Sequence, residues 1–317
     1  MRVLANDGLS EAGIDVLEEA GFEVLTTHVA QEQLISYINR EKIGALVVRS
    51  ATQVPREVVD QCPELKLIGR AGVGMDNIEV AYARQKGLHV VNTPAASADS
   101  VAELVFAHLF GGVRFLHEAN RNMPLEGDQH FKGLKKSYSK GRELKGKTLG
   151  IIGMGKIGRA VARIALGIGM EVLFYDMLSE TATVQLTFAD GRSLDFELSG
   201  SPMERLLKEA DFITLHVPSQ DRPVIGAREL GLMKEGAALV NTSRGGVVDE
   251  EALLEALESE KIRFAGLDVF ASEPTPEVQL LMQPKLSLSP HIGASTLEAQ
   301  ERIGTEMARQ IIELLKK

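Results

Sequence analysis

Thr148-Leu149-Gly150-Ile151-Ile152-Gly153-Met154-Gly155-Lys156-Ile157-Gly158-Arg159-Ala160-Val161-Ala162-Arg163 is the stretch on which the fold turns. It opens with an apolar run of strand length and closes with helix-forming residues. Between them stand glycines at the spacing Gly-x-Gly-x-x-Gly. Gly153 permits a tight turn, Gly155 lets the backbone approach a pyrophosphate, and Gly158 lets helix and strand pack closely. The amides of Lys156 and Ile157 fall at a helix N-terminus, where the dipole favours phosphate. A second strand, expected over residues 171–175, ends at Asp176, about where the ribose-binding acid of such a unit belongs. A carboxylate there accepts from both ribose hydroxyls and repels a 2′-phosphate, and Met177 and Leu178 offer no arginine to receive one. The expected cofactor is NAD rather than NADP.

The same alternation of short apolar runs and amphipathic stretches extends in both directions. Towards the N-terminus, strands are expected at residues 3–5, 23–26, 45–48, 66–69 and 89–92, with helices between them such as residues 11–20, stopped by Gly21. Towards the C-terminus, strands are expected at residues 212–216, 237–241 and 264–268. Such alternation indicates βαβ units and parallel sheets. Asn92-Thr93-Pro94 breaks the first series and leads into one long apolar helix, expected from about residue 97 to 120. Its Val101, Leu104, Val105, Ala107, His108, Leu109 and Val113 cover more than one face, as in a buried or subunit-facing helix. A polar, basic loop carrying Lys132, Lys135, Lys136, Lys140 and Arg142 is expected next. Period-two alternation on both sides of Ala189-Asp190-Gly191-Arg192-Ser193 marks a hairpin, read as a surface insertion. The last helix, from about residue 296 to 315, has Ile303, Met307, Ile311 and Ile312 at helical spacing and is expected to pack on the first domain. Two domains follow: residues 1–94 with 291–317, and residues 95–290.

The bulk numbers narrow the class. A chain of 317 residues, 44% hydrophobic and 25% charged, suits a globular enzyme with two cores. A net charge of −9 argues against nucleic acid as a partner, so an anionic substrate must be met by local arginines. The single cysteine, Cys62, forms no internal disulfide and fits a reducing compartment. No apolar run approaches the roughly 20 residues that cross a bilayer, and the N-terminus lacks a signal-peptide core. A cytoplasmic protein without a membrane partner is expected, and no residue is assigned to a metal.

Three residues after the fingerprint carry the chemistry: Arg244 in Asn241-Thr242-Ser243-Arg244-Gly245-Gly246, Glu273 in Phe270-Ala271-Ser272-Glu273-Pro274, and His291 in Ser289-Pro290-His291-Ile292-Gly293-Ala294. A cation, a carboxylate and an imidazole can orient a 2-hydroxy or 2-keto acid and move its hydroxyl proton. With Val48-Arg49-Ser50-Ala51-Thr52, Gly69-Arg70-Ala71-Gly72-Val73-Gly74-Met75-Asp76-Asn77, Gly146-Lys147-Thr148-Leu149-Gly150, Leu215-His216-Val217-Pro218 and Ser243-Arg244-Gly245-Gly246-Val247-Val248-Asp249-Glu250, the chain resembles the D-isomer-specific 2-hydroxyacid dehydrogenases over nearly its whole length. Within them it is most similar to the phosphoglycerate branch.

That resemblance implies an α/β protein of two Rossmann-like, doubly wound parallel-sheet domains separated by a cleft, whose closure would exclude water and bring Arg49 towards His291. It implies that Arg244 holds the substrate carboxylate or polarises the keto oxygen, that His291 is the general acid/base, and that Glu273 orients His291. Further NAD contacts would come from His216, Val217, Pro218, Thr242, Ser243, Asp268 (near the carboxamide), Gly293 and Ala294. Substrate contacts would come from Arg49, Ser50, Val73 and Gly74, with Arg49 suited to a phosphate. The implied reaction is NAD-dependent oxidation of D-3-phosphoglycerate to 3-phosphohydroxypyruvate, the entry to serine synthesis. The alternatives are a hydroxypyruvate or glyoxylate reductase, another D-2-hydroxyacid dehydrogenase, or, in a different class, a dinucleotide-sensing corepressor-like protein. A homodimer is expected, with a tetramer as the alternative. Many members of the phosphoglycerate branch have a C-terminal serine-sensing domain. This chain ends at Lys317, so feedback through one is not expected.

Overall fold

The computed structural model describes residues 1–316 and divides into two compact units, residues 1–100 with the segment from Ala294 onward, and Val101–Gly293. Lys317, included in the sequence-based boundary, lies outside the described residues. The divide falls somewhat beyond residues 94 and 290, for a reason visible in the hydrogen bonds. Thr93 N–H donates to Gly72 O (3.0 Å) and Arg302 Nε to Ala96 O (2.9 Å), holding residues 93–96 on the first unit. His291 N–H donates to Asp268 O (2.8 Å), holding that turn on the second.

The first unit runs β1 (Arg2–Ala5), α1 (Glu11–Glu19), β2 (Glu23–Leu25), α2 (Leu34–Glu41), β3 (Ile43–Val48), α3 (Arg56–Gln61), β4 (Leu67–Arg70), α4 (Val80–Gln85) and β5 (His89–Asn92). The five strands form a parallel sheet in the order β2-β1-β3-β4-β5, which reverses direction between β1 and β3. That order is the flavodoxin-like form of the doubly wound fold. β3 is buried along its whole length because helices cover both of its faces. Ile43, Leu46 and Val48 enter the core under α2 and α3, while Ala45 and Val47 enter the opposite core.

α5 (Ala98–Val113) crosses the divide into the second unit and is followed by α6 (Leu116–Ser137), and here two sequence expectations are corrected. The single helix expected to about residue 120 stops at Val113, because Phe115 adopts a left-handed φ of 56° and stands at the start of a new helix. The expected basic loop is largely helical, with Lys132, Lys135 and Lys136 on α6. Then come β6 (Thr148–Ile152), α7 (Lys156–Gly167), β7 (Glu171–Tyr175), β8 (Thr181–Thr187), β9 (Ser193–Ser199), α8 (Met203–Glu209), β10 (Phe212–Leu215), α9 (Ala227–Leu232), β11 (Ala237–Asn241), α10 (Glu250–Glu258), β12 (Ile262–Leu267), α11 (Val278–Met282) and β13 (Leu286–Leu288). The six-stranded parallel sheet has the order β13-β12-β11-β10-β6-β7. It reverses between β6 and β10, and a parallel bridge from Phe174 to Gly200 marks where a further edge strand would begin. β8 and β9 form the expected antiparallel hairpin, turning at Gly191 with φ 83°. β13 has no counterpart in the sequence reading.

The chain then returns to the first unit in α12 (Leu297–Leu315), capped by Thr296 Oγ1 accepting from Ala299 N–H at 3.2 Å. Ile303, Met307 and Ile311 are buried in the core shared with α1 and the sheet, each contributing roughly 1.5–3 kcal/mol. α12 crosses α1 where Gly13 and Gly304 meet: a Cβ on Gly13 would stand 2.8 Å from the Gly304 Cα. Only glycines allow the backbones that close.

Candidate active site

Doubly wound sheets bind ligands outside the carboxyl ends of their strands, at the point where strand order reverses. In the second unit that point lies between β6 and β10, and the fingerprint stands on it. Gly153 has a φ of 96°, and a Cβ there would press on the carbonyl oxygen of His216, so only glycine allows the β6 and β10 ends to meet. A Cβ on Gly158 would strike the Gly153 carbonyl, whereas one on Gly155 would meet nothing within 4 Å. Close packing at Gly158 and an open approach at Gly155 are what a pyrophosphate cradle requires. No side chain caps α7, which leaves its first amides, including those of Lys156 and Ile157, directed at this space.

Asp176 follows β7 and leans over the glycine turn. Its Oδ2 accepts from Met154 N–H (2.6 Å) and its Oδ1 from Leu178 N–H (2.8 Å). Each carboxylate oxygen keeps a further lone pair for a ribose hydroxyl. Two buried polar atoms at neighbouring strand ends have no partner among the described residues, His216 Nδ1 after β10 and Thr242 Oγ1 after β11. Both suit a ligand lying across these ends. The His216 imidazole, held by Thr214 Oγ1 at 3.1 Å, is pushed down to about 3 by burial and stays neutral. Val217 packs beside Gly153, and Pro218 continues the same loop.

Arg244, Glu273 and His291 all belong to this unit. Asn241, the last residue of β11, shapes the first loop. Its Oδ1 accepts from Ser243 N–H (3.0 Å) and Ser243 Oγ (2.8 Å), and its Nδ2 donates to Arg244 O (2.9 Å). Arg244 Nη1 donates to Ser243 O at 2.6 Å. Gly245 packs directly against the Phe270 carbonyl, which presses the Arg244 loop onto the Glu273 loop. In that second loop Glu273 Oε1 accepts from Phe270 N–H (3.0 Å), and Glu273 Oε2 meets His291 Nδ1 at 2.8 Å. Glu250, the first residue of α10, accepts from Ala271 N–H at 2.7 Å. Burial, reinforced by Glu277, Asp249 and Glu273, raises its pKa against that hydrogen bond.

His291 has a left-handed φ of 55°, a conformation uncommon outside glycine. Asp268 holds it. This fully buried carboxylate accepts from Ile292 N–H (2.9 Å) and Ser289 Oγ (2.6 Å) through Oδ1, and from Gly293 N–H (2.8 Å) through Oδ2. Asp268, expected at the nicotinamide carboxamide, thus has its oxygens engaged by the turn that presents His291. Gly293 closes that turn, and Ala294, whose carbonyl accepts from Gln300 Nε2 at 2.6 Å, begins the returning segment of the first unit.

Arg49, Ser50, Val73 and Gly74 belong to the first unit, at the carboxyl ends of β3 and β4. Asp7 Oδ2 accepts from Arg49 N–H (2.6 Å), and Asn77 Nδ2 donates to the carbonyls of Arg49 (2.7 Å) and Thr52 (2.6 Å). The backbone is pinned while the Arg49 guanidinium makes no hydrogen bond or ion pair among the described residues. Arg70 folds back over Gly72 and donates to Ala71 O at 2.9 Å, bracing the Val73-Gly74 turn, and Asn92 Nδ2 holds Val73 O at 2.6 Å. Glu250, Asp7 and Asn77, which shape these loops, carry no separable sequence signal, since each acts through a bond to a distant backbone group, while Asn241 acts through Ser243 and the Arg244 carbonyl just after it.

Residues 106–293 match the family described as D-isomer specific 2-hydroxyacid dehydrogenase, NAD binding domain. The chain is 41% identical to a hydroxypyruvate reductase of Thermotoga maritima, over 99% of this chain and 98% of that protein. It is 42% identical to a D-3-phosphoglycerate dehydrogenase of Methanocaldococcus jannaschii over its whole length, yet spans only 58% of that longer protein. A protein of Thermus thermophilus superposes with a TM-score of 0.86 at 31% identity, covering 100% of this chain and 97% of the other.

Proposed function

We propose, for a chain that belongs to the D-isomer-specific 2-hydroxyacid dehydrogenases, that it oxidises D-3-phosphoglycerate at C2 to 3-phosphohydroxypyruvate. The observation that carries the substrate assignment is the uncommitted Arg49 guanidinium, placed on a pinned backbone at the point where the first sheet reverses. A phosphate on the substrate needs a cation, and the first unit offers Arg49 for it. Ser50 and the Val73-Gly74 turn complete the substrate-facing loops of the first unit, while the second unit would hold NAD.

The chemistry follows from the Glu273–His291 pair. A carboxylate only accepts, so Nδ1 of His291 bears the proton of that 2.8 Å hydrogen bond and Nε2 is left for substrate. During oxidation Nε2 takes the C2 hydroxyl proton, and Glu273 stabilises the imidazolium that forms. During reduction the same nitrogen returns it. Bound NAD would supply the acceptor for the hydride of C2. Arg244 holds the carboxylate beside the developing carbonyl. The nucleotide is held by Gly153, Gly155, Lys156, Ile157, Gly158 and Asp176, with His216, Val217, Pro218, Thr242, Ser243, Asp268, Gly293 and Ala294 bordering it.

A second reading, hydroxypyruvate reduction, is favoured by the Thermotoga relative, which this chain matches nearly end to end. NADH absorbance across 3-phosphoglycerate, D-glycerate, D-lactate and their keto partners separates the two. Selective turnover of the phosphorylated pair, with Arg49→Ala raising KM for that pair alone, supports the first. Preference for hydroxypyruvate, indifferent to Arg49→Ala, replaces it with the second. Phe110, Leu116, Met123, Leu125 and Phe131 expose apolar surface along α5 and α6, consistent with a homodimer; light scattering distinguishes it from a tetramer. The buried, unpaired Cys62 accords with a cytoplasmic enzyme.

A further inference from the structure

Behind the catalytic turn, α5 carries a histidine where the helix meets β12. His108 is 4% exposed and lies over Gly266, where a Cβ would stand 2.7 Å from its own. Its Nδ1 is 2.8 Å from Ser287 Oγ, and its Nε2 is 3.0 Å from Ser289 Oγ. Ser289 Oγ is 2.6 Å from Asp268 Oδ1. The proton directions in this chain are determined. Asp268 carries only acceptors, so the Ser289 hydroxyl commits its one proton to it and must accept from His108. Nε2 is therefore the protonated nitrogen, and Nδ1 accepts from Ser287. Burial lowers the pKa of His108 and so favours the neutral ring, with Asp268 opposing the shift and His117 adding to it.

We propose that His108 is a positioning residue for the catalytic turn. By donating to Ser289 it fixes the hydroxyl that orients Asp268, and Asp268 in turn holds the amides of Ile292 and Gly293 beside His291. The proposal rests on His291 being the general acid/base. A left-handed histidine persists only where its surroundings over-determine it, and this relay supplies part of that determination from α5. A histidine with both ring nitrogens hydrogen-bonded is not interchangeable with an apolar residue of similar volume.

Amide hydrogen exchange at Ile292 and Gly293 reads the relay directly and needs no substrate, so it stands even if no acid is turned over. His108→Leu and Ser289→Ala are expected to speed exchange at these amides by about tenfold or more, while His108→Gln, whose amide retains the donor to Ser289, and Ser287→Ala stay close to the parent protein. kcat should fall in the same ranking by about tenfold, with smaller changes in KM for the acid and in affinity for NADH. The double variant His108→Leu/Ser289→Ala should be no worse than Ser289→Ala alone, because both break one chain. Multiplicative losses in the double variant, or exchange in His108→Leu that is unchanged or uniformly faster throughout α5 and β12, would overturn the proposal. If His108→Leu does not fold, His108→Asn keeps only the contact to Ser287. It should behave as Ser289→Ala, and parental behaviour would refute the relay.

Discussion

Gly245→Ala tests how tightly the two catalytic loops are coupled. Gly245 follows Arg244, and a Cβ on it would stand far inside the Phe270 carbonyl, where ordinary contact begins at 3.4 Å. The obstacle is backbone, so no side chain can swing aside, and the loops must separate by about an ångström. Phe270 N–H is the group that holds Glu273, so the wedge displaces Arg244 from the Glu273–His291 pair. A misplacement of about an ångström costs on the order of 100-fold in rate, and overpacking of this kind costs roughly 1–3 kcal/mol in stability. Steady-state kinetics, NADH titration by fluorescence and thermal melting read these effects separately. kcat should fall about 100-fold while NADH affinity changes less than about threefold, because the glycine turn stands on β6. Gly246→Ala is the control. It has a left-handed φ of 78° with nothing within 4 Å of a Cβ, so it should lose about 1 kcal/mol of stability and keep its kcat. A folded Gly245→Ala enzyme with parental kcat would refute the coupling.

Glu273→Gln removes the charge facing His291 while keeping an acceptor for Phe270 N–H. A charge-assisted hydrogen bond is worth roughly 1.5–3 kcal/mol, less at this partly exposed pair, so kcat should drop about 5–30-fold with NADH binding unchanged; a loss below about twofold would count against a role for the pair. Gly155→Ala and Gly158→Ala should separate the cofactor site from the fold: the first melts as the parent does and binds NADH about tenfold or more weakly, and the second loses roughly 1–3 kcal/mol of stability as well. Equal melting temperatures for both would contradict the packing described at Gly158. His216, at about 3 when folded and near the ordinary histidine value of 6.5 when unfolded, binds more protons in the unfolded chain between those values. Stability should therefore fall as pH drops from about 6.5 towards 3, by up to ~1.4 kcal/mol per pH unit from this group. Denaturant titrations at several pH values should show a shallower slope in His216→Leu, and an identical slope would remove His216 as the cause.

The strands of both sheets are legible because parallel strands buried on two faces are short, nearly continuous apolar runs, as residues 43–48 show. α6 is not legible for the opposite reason. Among its described side chains only Leu134 is buried, so no apolar period marks it, and Pro124, Gly127 and Gly133 read as loop. The break at Phe115 falls on a residue without glycine's freedom, which sequence alone does not flag. β13, three residues at a sheet edge, is too short to show alternation. At the site, the glycine spacing and the contexts of Arg244, Glu273 and His291 were readable. The side chains that hold those loops were not, because Asn241, Asp268 and His108 act through bonds to residues far away in the chain or to backbone groups that carry no sequence mark.

The place of α12 bears on the order in which the molecule assembles. The second unit is one unbroken stretch of chain, complete once residue 293 has been synthesised, and domains generally fold as units. The first unit is interrupted. Its five strands emerge before the second unit, yet Ile303, Met307 and Ile311, which close their core, follow it. Until then Leu17, Val47 and Leu67 lack that cover, and Gly13 has no opposite backbone to meet. The first unit is thus completed only after the second, and the nascent chain carries an open apolar face while all of residues 101–293 are being made, a stage at which a chaperone has most to shield.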